Sequence, residues 1–471
     1  MIDLADLQGN ILRGYRKPFV RHLVLRVTDA ATARAWLRDA TSGDGGRAPQ
    51  VTDAQPWDEK PAWCLNVGIT FDGLAALGLP EAHLATFPEE FRAGMIARAV
   101  RLGDVGDSDP EEWLPSYRYP HAVHLVVTVH ADDAATREAV GGQIRAYGGG
   151  RAFGVLATHD GETFDHGFVH FSYRDNIAQP NVEGVHDPAA RPDQQPITPL
   201  GSLLLGHETA FEDVRWQVPQ PAVLGNNGTF NAFRVLEQRV EEFEAFLSDA
   251  ATTLLDHPEA EALLPLGEED RWGPGTSRHD AMREVVAAKV LGRWRNGVPL
   301  EVSPTTAFPD PPLRSDQLND FDYIDDDRGL RCPMGSHIRR CNPRNGRIVQ
   351  RSTNHARRIV RRGIPYGPRF DPANPDGIER GLLGVFICAS LAVQFESIQY
   401  DWMNLGLQDP RITGTNDAMV GANDRVTSCF RLPVGSGTIE LRNFPRLVRT
   451  RGGAYCFLPT ISGLRHLGNL A

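Results

Sequence analysis

The sequence predicts an α+β fold in two halves, each with an antiparallel sheet and helices packed against it. Segments with the period-two apolar pattern of strands alternate with segments of helical period. This alternation runs through the first part of the chain and begins again in the second part. The length of 471 residues also exceeds that of one ordinary compact domain. We place the two halves at residues 1–218 and 219–471.

Five segments carry the strand pattern, and a segment of helical spacing follows each of them. The strand segments are 20–27, 63–71, 122–131, 228–238 and 381–392. The helical segments are 31–40, 73–79, 132–149, 240–251 and 393–404. Long loops rich in proline, aspartate and glycine lie at 36–60, 181–200, 255–280 and 303–328. Loops of this length in a compact protein usually cover a site or form an interface.

The composition is that of a globular protein, with 41% hydrophobic and 23% charged residues. The net charge of −11 argues against a general nucleic-acid coat, which needs a basic face. No apolar run reaches about 18 residues, so no membrane span is predicted. The N-terminus lacks a signal-peptide pattern, and we expect cytoplasmic residence unless a leader was removed before this numbering begins. The six cysteines are too sparse for a disulfide scaffold and are expected to be mostly reduced.

The segment RCPMGSHIRRCNPR (331–344) places one histidine, His337, between two cysteines and among four arginines. The spacing of Cys332, His337 and Cys341 is C-x4-H-x3-C. A structural zinc site normally has four ligands, with two cysteines close together as a pair. No second cysteine pair lies nearby, and His355 would be an ad hoc fourth ligand. Zinc is therefore a weak interpretation of this segment.

A nucleic-acid patch and a haem site are the two other interpretations. Nine arginines and no lysine lie between residues 339 and 362, and guanidinium groups favour planar partners such as carboxylates and phosphates. No aromatic residues interleave with them for base stacking. A lone histidine is also a frequent axial ligand of haem iron, and haem propionates need cationic partners. His337 with Arg339 and Arg344 supplies both parts.

Four separated segments, taken in order, resemble the signature segments of the dye-decolourising peroxidases. They are DLQGNILRGYRK (6–17), HFSYRDNIAQP (170–180), RCPMGSHIRRCNPR (331–344) and IVRRGIPYGP (359–368). Further matches are LGSLLLGH (200–207), NNGTFNAFRVLEQ (226–238), RGLLGVFICAS (380–390) and FESIQYDWMN (395–404). The resemblance spans nearly the whole chain, whose length suits the longer bacterial and fungal branch. It implies two ferredoxin-like halves of the dimeric α+β barrel type with peripheral helices.

The resemblance also implies which residues hold the cofactor, haem b, in the C-terminal half. His337 matches the family's proximal ligand of the haem iron. Arg344 matches an arginine that binds a haem propionate, with Arg339 as a helper. Glu396, in QFES, is our candidate for the acidic group bonded to the proximal imidazole. Such a partner makes the imidazole a stronger electron donor to the iron.

The peroxide chemistry is implied for two further residues. Asp175, in SYRDN, matches the distal aspartate, and Arg361, in RRGIPYG, matches the distal arginine. A carboxylate shuttles a proton between the two peroxide oxygens, and a guanidinium stabilises the charge on the departing oxygen. Because carboxylic acids titrate near about 4 and histidines near about 6.5, we expect optimal turnover in mildly acidic solution.

The sequence departs from the family pattern at two places. The family's G-x-x-D-G reads Ser172-Tyr173-Arg174-Asp175-Asn176. Glycine often marks a positive φ, which asparagine tolerates better than most residues. We therefore expect Asn176 to keep the turn, and the effect of Ser172 stays open. In RGLLGVF, Leu382 and Gly384 are expected at the haem. Gly384 stands where many relatives have a bulky aromatic residue, which predicts a roomier distal pocket.

Large dyes cannot enter a haem cleft, so their electrons must pass through oxidisable side chains at the surface. Tyr366, five residues beyond Arg361, and Trp402, in the helix after the last predicted strand, are our candidates. Both are equally consistent with core packing. The acidic run DFDYIDDDR (320–328) is either a solvated loop or a Mn(II) site, because Mn(II) prefers hard oxygen ligands.

Together these features predict a haem b peroxidase that uses hydrogen peroxide to oxidise dyes, phenols and similar donors through a ferryl intermediate. The alternative is a haem-binding or haem-handling protein with incidental peroxidase activity. Such a protein would keep His337 but would not need Asp175 and Arg361 together. We expect neither nucleic acid nor a membrane as a partner. The sequence leaves the natural reductant and the oligomeric state open.

Overall fold

A computed structural model describes residues 2–43, 46–185, 195–211, 213–272, 274–344 and 355–471. The strands are β1 (Phe19–Val27), β2 (Trp63–Ile69), β3 (Leu125–Ala131), β4 (Phe153–Glu162), β5 (Thr229–Gln238), β6 (Val360–Arg361), β7 (Ile364–Tyr366), β8 (Gly381–Cys388), β9 (Phe430–Val434), β10 (Gly437–Leu441) and β11 (Val448–Leu458). The α-helices are α1 (Gly9–Leu12), α2 (Ala30–Asp39), α3 (Phe71–Ala76), α4 (Glu81–Leu84), α5 (Glu89–Ala97), α6 (Ala99–Leu102), α7 (Ala134–Ala146), α8 (Ala222–Gly225), α9 (Val240–Leu255), α10 (Ala260–Leu263), α11 (Arg278–Leu291), α12 (His337–Cys341) and α13 (Ile461–Gly468). Two π-helical segments follow β8, at Leu391–Glu396 and Ile398–Asn404.

Nine of these strands form one antiparallel sheet in the order β4-β1-β3-β2-β11-β5-β8-β6, with β7 also paired to β8. The sheet curves until its two ends meet. A Cβ atom at Gly161 of β4 would lie 2.5 Å from Ile364 Cγ2 and 2.9 Å from the Pro365 carbonyl oxygen of β7. A residue without a side chain at this position therefore lets the end strands pack together. Strands β9 and β10 form a separate hairpin.

Side chains from opposite walls of the curved sheet meet inside it. The ring of His22 in β1 lies 4.9 Å from the ring of Phe233 in β5, although β3, β2 and β11 separate these strands in the sheet. His22 is paired in register with Thr128 on one side and His159 on the other. Burial on both faces explains why β1 and β3 are apolar along most of their length rather than strictly alternating.

Three of the longer helices, α2, α7 and α11, follow a residue whose side chain accepts a backbone hydrogen bond, whereas α9 has no such cap. Asp29 before α2 accepts from the Thr32 amide at 2.7 Å, and Asp133 before α7 accepts from the Thr136 amide at 2.7 Å. Ser277 before α11 accepts from the Asp280 amide at 3.0 Å. These caps satisfy amides that have no partner within the first helical turn. Helix α11 ends at Gly292, whose φ of 96° is the left-handed conformation of a helix C-cap.

The apolar core has two main parts. The first lies inside and around the nine-stranded sheet, where helices α2, α5 and α13 pack against it. The second is formed by α9 and α11 with the loops that surround them. Phe171 and Tyr173 belong to this second part, and so does Cys332. It therefore contains residues that precede both Asp175 and His337.

The predicted α+β class with antiparallel sheets is confirmed. The five predicted strand segments correspond to β1, β2, β3, β5 and β8, whereas the short strands β6, β7, β9 and β10 and the longer strands β4 and β11 were missed. β4 is half-exposed along much of its length, and β11 begins with the polar residues VRTR, so neither shows a clean apolar pattern. The helix predicted at 393–404 is π-helical for most of its length. Strands β1–β4 and strands β5–β8 join where β2 pairs with β11. The predicted domain boundary at residue 218 stays a prediction.

Among the described residues, no helix combines the length and the apolar character needed to cross a membrane.

Three histidines in the walls of the sheet should make the protein sensitive to acid. Burial disfavours the imidazolium form, and it lowers the pKa of His130 to about 3 and that of His159 to about 4. Burial also lowers the pKa of His22 well below its usual value. Between pH 6.5 and 5 the unfolded chain therefore binds more protons than the folded chain. We expect the free energy of unfolding, measured with urea, to fall steadily across this interval as the pH is lowered.

The variant His159→Gln should weaken this pH dependence, because it removes one group that takes up a proton on unfolding. Exposed His166 offers a matched control, and His166→Gln should leave the slope unchanged. Equal slopes in the parent and in His159→Gln would contradict this account.

Candidate active site

His337 is the first residue of α12, and its imidazole faces a buried carboxylate. Nδ1 lies 3.1 Å from Oδ1 and 3.2 Å from Oδ2 of Asp417. A carboxylate only accepts hydrogen bonds, so Nδ1 carries the proton of this contact. The side chain of Asp417 is fully buried, and that of His337 is 19% exposed. Nε2 takes no part in this contact, and in the neutral imidazole it is the nitrogen available to a metal ion.

Asp417 is fixed by its own loop before it meets the imidazole. Its Oδ1 accepts hydrogen bonds from the backbone amides of Met419 and Val420, both at 2.9 Å. Burial alone would raise the pKa of this carboxyl, but His337 and the nearby Arg340 outweigh it and hold the pKa below its usual value. Burial likewise opposes a charged His337, yet Cys341 and Asp417 raise the pKa of His337 well above its usual value. The pair is therefore charged on both sides when no metal binds.

The prediction that Glu396 is the partner of the proximal imidazole is wrong. Glu396 is fully buried and accepts two hydrogen bonds from Arg98, at 2.9 and 2.6 Å. A third comes from the Tyr455 hydroxyl at 3.0 Å. These three hydrogen bonds hold the Glu396 carboxylate at the sheet. The carboxylate that contacts the His337 imidazole is that of Asp417. Sequence reasoning missed Asp417 because it lies in a loop without a motif, 80 residues beyond His337.

The guanidinium of Arg339 is bonded to other protein groups, which contradicts its predicted role as a helper at a propionate. Its guanidinium is 2.8 Å from Asp326 Oδ2 and 2.6 Å from the Cys332 carbonyl oxygen, and it lies over the Tyr323 ring. Only 5% of the residue is exposed. A buried guanidinium paired in this way stabilises the segment before His337 rather than binding a ligand.

Arg344 is buried as well, and it donates to the carbonyl oxygens of Asn319 and Phe321 at 2.9 and 2.6 Å. Its guanidinium lies 3.7 Å from the centre of the Phe321 ring. These contacts hold the loop 303–328 against the segment 331–344. The binding of a propionate by Arg344 stays a prediction.

In the part of the chain that the structure describes, neither the acidic run 320–328 nor Cys332 with His355 gathers three side chains close enough to share a metal ion. Asp326, in the acidic run 320–328, is buried and accepts from the amides of Leu330 and Cys332 as well as from Arg339. Within the described ranges, the one cluster of histidine, cysteine and acidic side chains close enough to share an ion is His337, Cys341 and Asp417. Cys332 and His355 are not part of it.

Arg361, in β6, is held against the loop that carries Asp175. Its Nη2 donates to the Ala178 carbonyl oxygen at 2.9 Å. Gln179 Nε2 donates to the Arg361 carbonyl oxygen at 2.9 Å, and Gln179 Oε1 accepts from the Arg361 amide at 3.3 Å. The structure therefore places Arg361 against the residues that follow Asp175 in the chain, with Asp175 half-buried and Arg361 exposed.

The two positions where the family pattern has glycine both adopt positive φ. Ser172 and Asn176 each have a φ of 61°, a conformation that side chains with a Cβ rarely take. The Ser172 amide donates to Val169 at 2.8 Å, and the Asp175 amide donates to Gly167 at 2.9 Å. The expectation that Asn176 keeps the turn is consistent with this backbone, and Ser172 keeps it too.

Leu382, Gly384 and Phe386 alternate along β8 and share one of its faces. Arg361 is the register partner of Phe386 on the neighbouring strand β6. A Cβ atom at Gly384 would lie 2.6 Å from Cε2 of Phe386. The ring of Phe386 therefore covers the space that the glycine leaves, and the extra room predicted at Gly384 is absent.

The two candidate electron-transfer residues have different surroundings. Tyr366 is half-exposed, and its hydroxyl donates to the exposed Glu379 at 2.9 Å. Trp402 is only 1% exposed and lies under the Arg357 guanidinium, 4.9 Å from the ring centre. The prediction of a surface position is therefore wrong for Trp402, which packs with Ile398 and Met403.

Helix α11 and the residues that follow it link the two parts of the site. The Ser336 hydroxyl donates to the Lys289 carbonyl oxygen, and Lys289 Nζ donates to the Arg331 carbonyl oxygen at 2.8 Å. A few residues further on, the Arg295 carbonyl oxygen accepts from the Arg174 amide at 2.8 Å. The segments that carry His337 and Asp175 are thus attached to one helix and the turn after it.

These donors fit an iron porphyrin. One imidazole presents a free nitrogen, because its other nitrogen is held by a carboxylate, as is usual for a histidine that binds a metal. The guanidinium of Arg361 donates to the Ala178 carbonyl oxygen, three residues beyond Asp175.

Comparison with known proteins finds dye peroxidases that match almost the full length of this chain. A family model described as the DyP dimeric alpha+beta barrel domain matches residues 6–162. The dye-decolorizing peroxidase msp1 of Mycetinis scorodonius is 30% identical over 98% of this chain and 87% of its own length. The multifunctional dye peroxidase DyP2 of an Amycolatopsis strain is 27% identical over 98% of this chain and 96% of its own.

Solved structures of such enzymes have the same fold. A fungal DyP-type peroxidase from Auricularia auricula-judae superimposes with a TM-score of 0.81 at 25% identity, covering 99% of both chains. A dye-decolorizing peroxidase crystallised with 2,6-dimethoxyphenol gives a TM-score of 0.80 at 26% identity, over 99% of this chain and 100% of the other. The protein therefore belongs to the family of dye-decolourising peroxidases.

Proposed function

We propose that this enzyme uses hydrogen peroxide to oxidise dyes, phenols and similar donors, with haem b held by His337. The observation that carries the proposal is the bond between His337 Nδ1 and the buried Asp417, at 3.1 Å, which orients Nε2 for iron. A relative's complex with 2,6-dimethoxyphenol supports phenols as one class of donor. The haem would supply the iron that receives the oxidising equivalents of peroxide.

On the proximal side, Asp417 holds the Nδ1 proton and gives the imidazole partial imidazolate character. This makes His337 a stronger electron donor toward a bound metal and fixes the ring orientation. The backbone amides of Met419 and Val420 keep the carboxylate in place. Asp417 is therefore a positioning residue in this proposal.

On the distal side, Asp175 accepts the proton of one peroxide oxygen and returns it to the other oxygen as the O–O bond breaks. Arg361 stabilises the negative charge on the departing oxygen. The hydrogen bonds from Arg361 to Ala178 and from Gln179 to Arg361 support this pairing, because they hold the guanidinium beside the Asp175 loop. Phe386 lies next to Arg361 as its register partner on β8.

Donors too large for the distal pocket would deliver electrons at the surface. We place one such point at Tyr366, whose half-exposed ring and bond to Glu379 connect β7 with solvent.

Two distal variants test the enzymatic function directly. The purified protein should show a Soret band, and its spectrum should change rapidly on mixing with peroxide in a stopped-flow instrument. Arg361→Leu should slow this change by about 10²–10³-fold, because the charge on the departing oxygen loses its donor. Asp175→Asn should slow it by about 10²-fold or more and change its pH dependence.

Arg362→Leu is the matched control, since the Nε of the neighbouring Arg362 donates to the Asn10 carbonyl oxygen on the N-terminal segment at 3.1 Å. It should keep the rate of the parent. A protein with a Soret band whose spectrum does not respond to peroxide would instead be a haem carrier.

The proximal ligand is tested by haem content. His337→Ala should lose haem during purification, because the iron loses its protein ligand. Cys341→Ala should retain haem, although its sulfur lies 3.7 Å from His337 Nε2. The ratio of Soret to protein absorbance measures the haem content of both variants. Retention of haem by His337→Ala would show that another residue is the ligand.

The identity of the imidazole's partner is tested by comparing two buried carboxylates. Asp417→Asn should slow the reaction with peroxide by about 10–100-fold, since the imidazole loses its anionic acceptor. It should also raise the reduction potential of the haem iron. Glu396→Gln should leave this potential unchanged, because Glu396 contacts Arg98 and Tyr455 rather than His337. If Glu396→Gln raised the potential and slowed the reaction with peroxide while Asp417→Asn did neither, Glu396 would be the partner of the imidazole.

A further inference from the structure

One row of side chains crosses four strands on the face that carries Arg361. Arg361 of β6 is the register partner of Phe386 in β8, which is the partner of Ala232 in β5. Ala232 in turn is the partner of Tyr455 in β11. Register partners on adjacent strands lie side by side on the same face. Tyr455 is therefore three strand spacings, about 14 Å, from the distal arginine.

An aromatic ring from outside the sheet bridges this row. Phe395, in the first π-helical segment, lies 5.3 Å from Phe386 and 6.4 Å from Tyr455 between ring centres. Ala232, between the two strands, has only a methyl group, which leaves room for the Phe395 ring. Aromatic rings in contact thus extend from the neighbour of Arg361 to Tyr455.

Tyr455 is a buried phenol with a carboxylate as its hydrogen-bond acceptor. It is 2% exposed, and its hydroxyl donates to Glu396 Oε1 at 3.0 Å. Burial, together with the adjacent negative charge of Glu396, raises the pKa of Tyr455 well above its usual value. The side chain therefore cannot lose a proton alone, but it can lose an electron and a proton together if a base receives the proton.

Glu396 meets the requirements of that base. It is fully buried, and its oxygens accept two hydrogen bonds from Arg98 and face Arg101 at 3.3 Å. These arginines, 25% and 44% exposed, offset the charge of the buried carboxylate and connect it to solvent. Glu396 ends a π-helical segment, a geometry that is rare and frequent at functional sites.

We propose that Tyr455 is a redox-active residue that stores one oxidising equivalent of the peroxidase reaction. One electron leaves the phenol toward the haem site through the contacts with Phe395 and Phe386. The O–H bond breaks, and its proton moves to Glu396 Oε1, which leaves a neutral phenoxyl radical and a carboxylic acid. An electron from a donor reverses both transfers. The oxidant is the hydrogen peroxide of the proposed function, on which this inference rests.

Freeze-quenched electron paramagnetic resonance after one equivalent of peroxide tests the proposal. The parent should give a tyrosyl radical signal, and Tyr455→Phe should lose it while retaining the Soret band and the consumption of peroxide. Glu396→Gln should lose it as well, with Tyr455 still present, because a carboxamide does not accept the proton. Regain of the signal in Glu396→Asp would support transfer of the proton to a carboxylate.

Tyr147→Phe is the matched control, since Tyr147 also donates to a carboxylate, at 2.6 Å to Asp39, but lies on the outer helices of the first half. It should keep the signal. Persistence of the full signal in Tyr455→Phe, its equal loss in Tyr147→Phe, or a parent that consumes peroxide without any tyrosyl signal would each overturn the proposal. A parent without a Soret band or reaction with peroxide would instead refute the proposed function.

Discussion

The contact between His337 and Asp417 is the constraint on which the site depends. Asp417 is fully buried, and a buried carboxylate without partners is strongly unfavourable. Its partners are the imidazole and two backbone amides of its own loop. The loop therefore has to adopt one conformation for the imidazole to be oriented, and the imidazole has to be present for the loop to be stable. Ligand and support are stabilised together, which favours a single geometry for the ring.

The rest of the active site is arranged around this pair by packing rather than by local sequence. Helix α11 holds the residue before His337 through Ser336, and the turn after the helix holds the backbone next to Asp175 through Arg174. The second apolar core, between α9 and α11, surrounds these attachments. Changes in that core would therefore shift the segments that carry His337 and Asp175 together.

The sequence was sufficient where a residue belongs to a local pattern, and insufficient where tertiary packing decides. His337 was singled out from one contiguous segment, and its imidazole does meet a buried carboxylate, while the backbone around Asn176 agrees with the expected turn. Asp417 was missed because nothing near it in the chain marks a partner for His337. Gly384 suggested an open pocket, but the residue two positions further along the strand covers it. The space around a residue in a strand is thus better predicted when the neighbouring residues on the same strand face are considered as well.

The place of β11 in the sheet has a consequence for how the chain reaches this fold. β11 follows every other strand in the sequence, yet it lies between β2 and β5 and joins strands β1–β4 to strands β5–β8. Neither set of strands can complete its hydrogen-bonded ladder until β11 has been synthesised. Such pairing between distant segments slows folding and leaves unpaired strand edges exposed meanwhile. During translation, β2 and β5 should therefore remain open to association with other chains or to protection by chaperones.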